Sequence, residues 1–243
     1  MTRIGNFFFH YRNGLFPLAY LLLFAKRDLV TSHYKEMALA GLLIALSGQV
    51  LRAVTIGLEY IIRGGRNRQV YAEKLVTGGM FAHCRNPLYV GNYLVLVGLG
   101  VASCSALFLI VALPFFAFAY LAITLAEENY LRKHFGAEFD EYCARVSRYL
   151  PRFSRFSETL HGMHYNWRRL LTAEYGSTYS WMAAMTLVTL QNIWIAGEYS
   201  LHDSLVLALW SFLAFLTVGY AAARYVKKSG LVQDEPKVTT SAA

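Results

Sequence analysis

Long apolar blocks separated by short basic connections set the pattern of this chain. The longest block, residues 88–126, contains no Asp, Glu, Lys or Arg. It is about twice the ~20 residues that cross a hydrocarbon core. It therefore predicts a helical hairpin, residues 88–102 and 106–126, turning at Ser103-Cys104-Ser105 and returning to the side it left. Residues 37–62 predict a span carrying Arg52 and Glu59, seven apart and so on one helical face. Residues 15–25 are apolar but too few to cross alone. Extended back to residue 4, past Pro17, Arg12 and His10, they predict a first span with a polar N-terminal end, the alternative being an interfacial helix.

Beyond the hairpin the period changes. Leu131, Phe135, Phe139, Tyr142 and Val146 recur at threes and fours among Arg132, Lys133, Asp140, Glu141 and Arg145. That predicts an amphipathic surface helix over residues 127–146, with Gly136 as a break. A polar, aromatic segment covers residues 151–178, and two further spans are predicted at 175–197 and 204–223. Residues 229–243 read as a disordered tail. The organisation expected is an N-terminal span or interfacial segment at 1–36 and a membrane core at 37–152. A polar segment with two spans at 153–228 and the tail complete it. The fold class is all-α: a polytopic helical membrane protein of five or six spans, with a hairpin and a cytoplasmic amphipathic helix.

Composition supports this reading. Hydrophobic residues make up 56% of the chain, above the ~45–50% of soluble domains. The net charge of +8 sits in loops beside spans. Arg63, Arg66, Arg68, Lys74 and Arg85 occupy residues 63–85, and eight more basic residues occupy 127–178, while the turns at 103–105 and 198–203 have none. Both basic loops are therefore expected on the cytoplasmic side of a bacterial inner membrane or an endomembrane. Anionic lipid headgroups suit this charge better than nucleic acid. The first residues lack the pattern of a cleavable signal peptide. Cys84, Cys104 and Cys143 have no metal-ligand spacing and read as free thiols, Cys84 beside Arg85 being a weak candidate for reactivity. Nothing in the sequence speaks to oligomeric state.

The chemistry gathers at the hairpin mouth. Arg85-Asn86-Pro87-Leu88-Tyr89-Val90-Gly91 opens the uncharged block and Glu127-Glu128 closes it. Pro87 holds Asn86 extended and suits the first helical turn. The N–H groups at that helix start, with Arg85, form an anion site. Two carboxylates at the end of an apolar helix oppose the helix dipole and call for a cation: an ammonium, a sulfonium or Arg85 itself. Arg52 inside a span is costly, and marks either a structural pair or a site. Gly91, Gly98 and Gly100 serve either close helix packing or a ligand.

The run Leu75-Val76-Thr77-Gly78-Gly79-Met80-Phe81-Ala82-His83-Cys84-Arg85-Asn86-Pro87-Leu88-Tyr89-Val90-Gly91-Asn92 resembles the cofactor region of isoprenylcysteine carboxyl methyltransferases. Phosphatidylethanolamine N-methyltransferases and related bacterial membrane methyltransferases share it. Glu127-Glu128-x-x-Leu131-x-x-x-Phe135-Gly136-x-Glu138-Phe139-x-x-Tyr142, then Val146-x-Arg148-Tyr149-x-Pro151, resemble the family's second motif. Gly48-x-x-x-Arg52 is similar to its preceding helix. The resemblance covers about residues 40–152.

It implies S-adenosylmethionine as methyl donor, bordered by Val76, Gly79, Phe81, Arg85, Asn86, Pro87, Tyr89, Gly91, Asn92, Glu127 and Glu128. It also implies a lipid or lipidated acceptor entering from the bilayer. Arg85 would orient a carboxylate acceptor, and Glu128 or Glu127 would take the proton from an amine acceptor. Asn86 departs from the His usual in prenylcysteine enzymes, which leaves open whether the acceptor is a prenylcysteine. The alternatives are a related membrane reductase using NADPH, against which stands the lack of a dinucleotide fingerprint, and a non-enzymatic membrane protein.

Overall fold

The structure, a computed structural model, describes residues 1–26, 28–58, 71–154 and 156–229. Regular structure among these residues is helical throughout: α1 (Thr2–Tyr20), α2 (Tyr34–Leu58), α3 (Pro87–Ser103), α4 (Leu113–Phe135), α5 (Ala137–Arg145), α6 (Phe156–Gly162), α7 (Trp167–Ile195) and α8 (Ser204–Lys228). Three helical stretches are long and apolar enough to cross a membrane: Tyr34–Leu58, Phe108–Phe135 and Ser204–Lys228. The fold is that of an all-α membrane protein. The expectation of five or six crossings turns on α3, apolar but only 17 residues long, and on the more polar α1 and α7.

Close approach of α2 and α3 organises the bundle. Gly41 and Ala45 of α2 meet Gly98 of α3, and Gly48 meets Gly91. A Cβ on Gly48 would lie 2.5 Å from the Gly91 carbonyl oxygen and 2.8 Å from Leu94 Cβ. Small residues let two backbones touch where lipid supplies no hydrophobic drive between helices. For Gly91 and Gly98 the packing reading therefore accounts for the glycine; Gly100 instead faces Phe108 and Leu109 of the return arm.

With α3 held by α2, the second hairpin arm packs mainly elsewhere. Helix α4 lies along α1, with Phe8 and Phe9 against Ala119, Ala122 and Ile123. The two arms touch less than α2 and α3 do and meet in part through aromatic rings, as where Tyr89 and Tyr120 lie 5.3 Å apart. Cys104 makes the turn in a left-handed conformation, φ 49°. The return arm begins as a π-helical turn, Phe108–Ala112, just before Pro114. Proline has no N–H for the regular ladder, and a wider turn is one way to absorb it.

At the far end of the bundle, the Lys26 ammonium donates to the Ser103 carbonyl and to Asn192 Oδ1. Asn192 Nδ2 in turn donates to the Ala102 carbonyl at 2.8 Å. Both groups cap the C-terminal carbonyls of α3, where a cation complements the dipole. Burial pushes the Lys26 amine down to about 8.

Two expected boundaries are corrected, and two other expectations are made specific. Helix α4 does not end at the carboxylates: it continues to Phe135, where Arg132, Lys133 and His134 take the dipole end and Gly136, φ 55°, makes the break before α5. Helix α7 starts at Trp167 rather than 175, because the Asn166 side chain caps it by accepting from Arg169 N at 2.8 Å. Helix α1 runs through Pro17 before tightening to a 3-10 turn at Leu21–Leu23. Arg52 pairs with Glu174 of α7. Glu59, the end of the span predicted to residue 62, the basic positions Arg63, Arg66 and Arg68, and residues 230–243 of the tail lie outside the described residues.

Two measurements test this architecture. Gly48→Leu forces α2 from α3 and should cost on the order of 2 kcal/mol or more, read as a lowered Tm in detergent. Gly176→Ala, where an added Cβ meets nothing within 4 Å inside helix α7, should not lower Tm and should raise it slightly, alanine being the better helix former. Lys26 is the pH-sensitive element. Below about pH 8 both the folded and unfolded states carry its proton and the cost of burial is fully present. Between about pH 8 and its ordinary value of 10.5 the unfolded state binds more protons, so stability rises with pH. The Tm of the wild type should therefore rise relative to Lys26→Met across that window, and a flat difference would refute the assignment.

Candidate functional site

The site grows from the helix start at Pro87. Asn86 does not take the extended conformation expected before Pro87: at φ −128° and ψ 52° its carbonyl turns in to accept from Tyr89 N and Val90 N, and its side-chain amide donates to the Arg148 carbonyl at 3.2 Å. The residues before it are stitched to the segment after α5. Arg85 N donates to Ser147 O at 2.9 Å, Arg152 N donates to His83 O at 3.1 Å, and the Tyr142 hydroxyl donates to Phe81 O at 2.7 Å. The buried His83 ring bridges the Arg152 carbonyl and Thr159 Oγ1. The helix start and the 146–152 segment are thus joined into one wall.

The two carboxylates meet this wall differently. Successive residues on a helix point about 100° apart, so neighbours face different partners. Glu128 is buried between two guanidinium groups. Arg85 Nε and Nη2 lie 3.2 and 3.1 Å from Oε1, while Arg148 Nη2 lies 2.7 Å from Oε2 and its Nε 3.0 Å from Oε1. Arg85 also donates to the carbonyls of Cys143 and Val146, at 3.0 and 2.7 Å. Most of the Arg85 donors are therefore engaged within the protein, tying α4 to α5 and to the start of α3. Glu127 turns the other way: one oxygen accepts from the Tyr89 hydroxyl at 2.8 Å. Arg12 of α1, stacked 4.2 Å over Phe9, adds a positive charge within electrostatic reach.

Beside the pair lie two further hydroxyls. Thr124, fully buried one turn before Glu128, and Tyr149, next to Arg148, approach each other. Neither hydroxyl has a hydrogen-bond partner in good geometry among the described residues. Buried polar atoms are usually satisfied, so this pair points to something that completes them. Burial pushes the Tyr149 phenol up. It also pushes the Cys84 thiol up to about 11; that sulfur is wholly buried and donates to Arg148 O, so Cys84 is a protonated packing residue rather than a reactive one.

The sequence-derived residues therefore fall into groups. Arg85, Asn86, Pro87, Tyr89, Glu127 and Glu128 come together at the hairpin mouth. Gly79, buried with φ 56°, and Phe81 lie in the 3-10 turn Gly79–Ala82 that rests against α2, with half-buried Val76 just before it. Gly91 and Asn92 turn toward α2 and Arg52 instead. Arg148 appeared in a motif without a role, and the clamp on Glu128 gives it one. Tyr149 stood in the same motif without a role, Arg12 entered only as the polar end of the first span, and Thr124 and Glu174 carried no expectation. Arg12 and Glu174 did carry a signal, as charges within apolar helical stretches; a buried threonine hydroxyl carries none.

The phospholipid methyltransferase family matches residues 35–138. Over 92 residues the chain is 38% identical to the nickel-cobalt-cadmium resistance protein NccN of Alcaligenes xylosoxydans xylosoxydans, covering 37% of this chain and 43% of that one. It is 30% identical over 156 residues to the cobalt-zinc-cadmium resistance protein CzcN of Cupriavidus metallidurans, covering 63% and 69%. It is 35% identical over 121 residues to the protein-S-isoprenylcysteine O-methyltransferase of Rattus norvegicus, covering 47% and 41%. The match thus spans less than half the length of the first and third relatives. No solved structure matches. The helical membrane fold, the two ordered motifs and these similarities agree: the chain belongs to the phospholipid methyltransferase family.

Proposed function

We propose that this protein is a membrane methyltransferase that uses S-adenosylmethionine and acts on a lipid or lipidated acceptor at the mouth of the α3–α4 hairpin, on the cytoplasmic side. The observation that carries the reading is the divided carboxylate pair, with Glu128 clamped and Glu127 left with acceptor capacity. The donor set fits the cofactor. Glu127 suits an ammonium or a ribose hydroxyl, and the unpartnered hydroxyls of Thr124 and Tyr149 add hydrogen-bonding groups to the same place. Residues 76–81, whose 3-10 turn rests against α2, and Tyr89 of α3 supply apolar and aromatic side chains.

S-adenosylmethionine supplies an electrophilic methyl group on a sulfonium. Displacement at such a carbon disperses positive charge, so the protein's contribution is alignment and exclusion of water. Arg85, Glu128 and Arg148 hold the start of α3, α4 and the 146–152 segment in fixed register. Tyr89 holds the Glu127 carboxylate in one orientation. For a carboxylate acceptor no base is needed, and Arg12, with the N–H groups at the start of α3, offers the positive field. For an amine acceptor Glu127 is placed to take the proton. Glu128, held by two guanidinium groups, is the poorer base and serves to position.

The test separates the two carboxylates. Glu127→Gln should weaken S-adenosylhomocysteine binding tenfold or more by calorimetry, or abolish turnover with radiolabelled methyl donor and lipid extract, with Tm nearly unchanged. Glu128→Gln leaves two guanidinium groups facing a neutral amide, which should cost a few kcal/mol and lower Tm first. Wild-type protein that binds NADPH and not S-adenosylhomocysteine would overturn the reading.

A further inference from the structure

Helix α7 lies beyond the residues matched by the family, yet it sends a carboxylate to the core. Glu174 accepts from Arg52 Nε at 2.9 Å and from Nη2 at 2.8 Å, a two-pronged fork between side chains only 3–4% exposed. Arg52 then does two things at the start of α3. Its Nη1 donates to Asn92 Oδ1. Its aliphatic stem fills the face left bare by Gly91, where a Cβ would come within 2.6 Å of Arg52 Cγ. Asn92 neighbours Tyr120, Tyr120 packs on Tyr89, and Tyr89 donates to Glu127. One chain of contacts, polar except where the Tyr120 and Tyr89 rings pack, therefore runs from α7 through α2, α3 and α4 to the carboxylate at the hairpin mouth.

We propose that Glu174 is a positioning residue of the methyl-transfer site: it fixes Arg52, and through it the rotation and depth of the first turns of α3. Glu174 acts through Arg52 and touches neither donor nor acceptor. The proposal rests on the methyltransferase reading above. The physical argument is that a guanidinium has five donors in a rigid plane. A forked carboxylate sets that plane, which leaves Nη1 aimed at Asn92. Without the fork, Arg52 is free to swing toward any acceptor at the α2–α7 contact. Helix α7 is in this view part of the enzyme's working unit rather than an appendage to it.

The experiment measures Tm and S-adenosylhomocysteine affinity together on the full chain in detergent. Glu174→Gln should lower Tm and weaken binding by tenfold or more. The double variant Arg52→Gln/Glu174→Gln removes both buried charges and should recover most of the Tm but not the affinity, because Asn92 and the bare face at Gly91 then lose the guanidinium and stem that orient the first turns of α3. Recovery of both would show that the pair only holds the fold, and would overturn the proposal. Glu174→Asp keeps the charge and withdraws the fork by one methylene; it should fold and bind several-fold more weakly, and wild-type affinity there would also overturn it. Wild-type protein that binds no S-adenosylhomocysteine would remove the methyltransferase reading and this proposal together, an outcome distinct from loss in the variants alone.

Discussion

The contact between α2 and α3 decides where everything else goes. Four glycines let the two backbones touch, and that intimacy leaves α3 little surface for its own hairpin partner. Helix α4 turns to α1 for its apolar contacts, with Phe16 of α1 set edge-on against both Phe116 and Tyr120. A hairpin whose arms packed along their whole length would close its own mouth. Here the arms are drawn to different neighbours, and polar groups collect at the end where they part. The position of the candidate site thus follows from helix packing before any chemistry is considered.

Charge then settles what gathers there. A carboxylate at the edge of a hydrocarbon core needs a partner, and the two at the hairpin mouth find different ones because a helix turns about 100° per residue. Glu128 meets Arg85 and Arg148 and becomes a tie between three segments. Glu127 meets a neutral hydroxyl and the more distant Arg12, and so retains capacity to accept. Two identical residues in sequence are thereby separated into one that holds the wall and one that keeps capacity to accept.

Much of this was legible in the sequence. The uncharged run 88–126 announced a hairpin, and the polar residues at its ends announced their meeting, because a chain that crosses twice must return to its starting side. The break at Gly136 followed from glycine in an amphipathic run. What could not be read depended on three-dimensional partners. The apolar period stops at Ala126, but the backbone of α4 does not, since Asn129, Tyr130 and Leu131 continue the helix with nothing to break it. The start of α7 hinged on one capping amide inside a polar stretch. The pairing of Arg52 with Glu174 joins residues 122 apart, beyond any local pattern.

That last pairing also bears on how a small family core tolerates extension. A buried arginine in a membrane helix is costly until its donors are met, and the partners available decide which added helices can dock. Helix α7 docks against α2 and α3 with Glu174 at Arg52, Trp181 Nε1 donating to Gln49 at 2.9 Å, and Asn192 at the end of α3. Each contact satisfies a polar group within an otherwise apolar surface, spaced along the helix so that register is fixed at three depths. Helix α8, by contrast, touches α7 through Tyr175, Tyr179 and Tyr220 and leaves most of its apolar side chains exposed. Lipid suffices for such a helix. The polarity of α7 is therefore the mark of a segment incorporated into the core, and the apolarity of α8 the mark of one that only borders it.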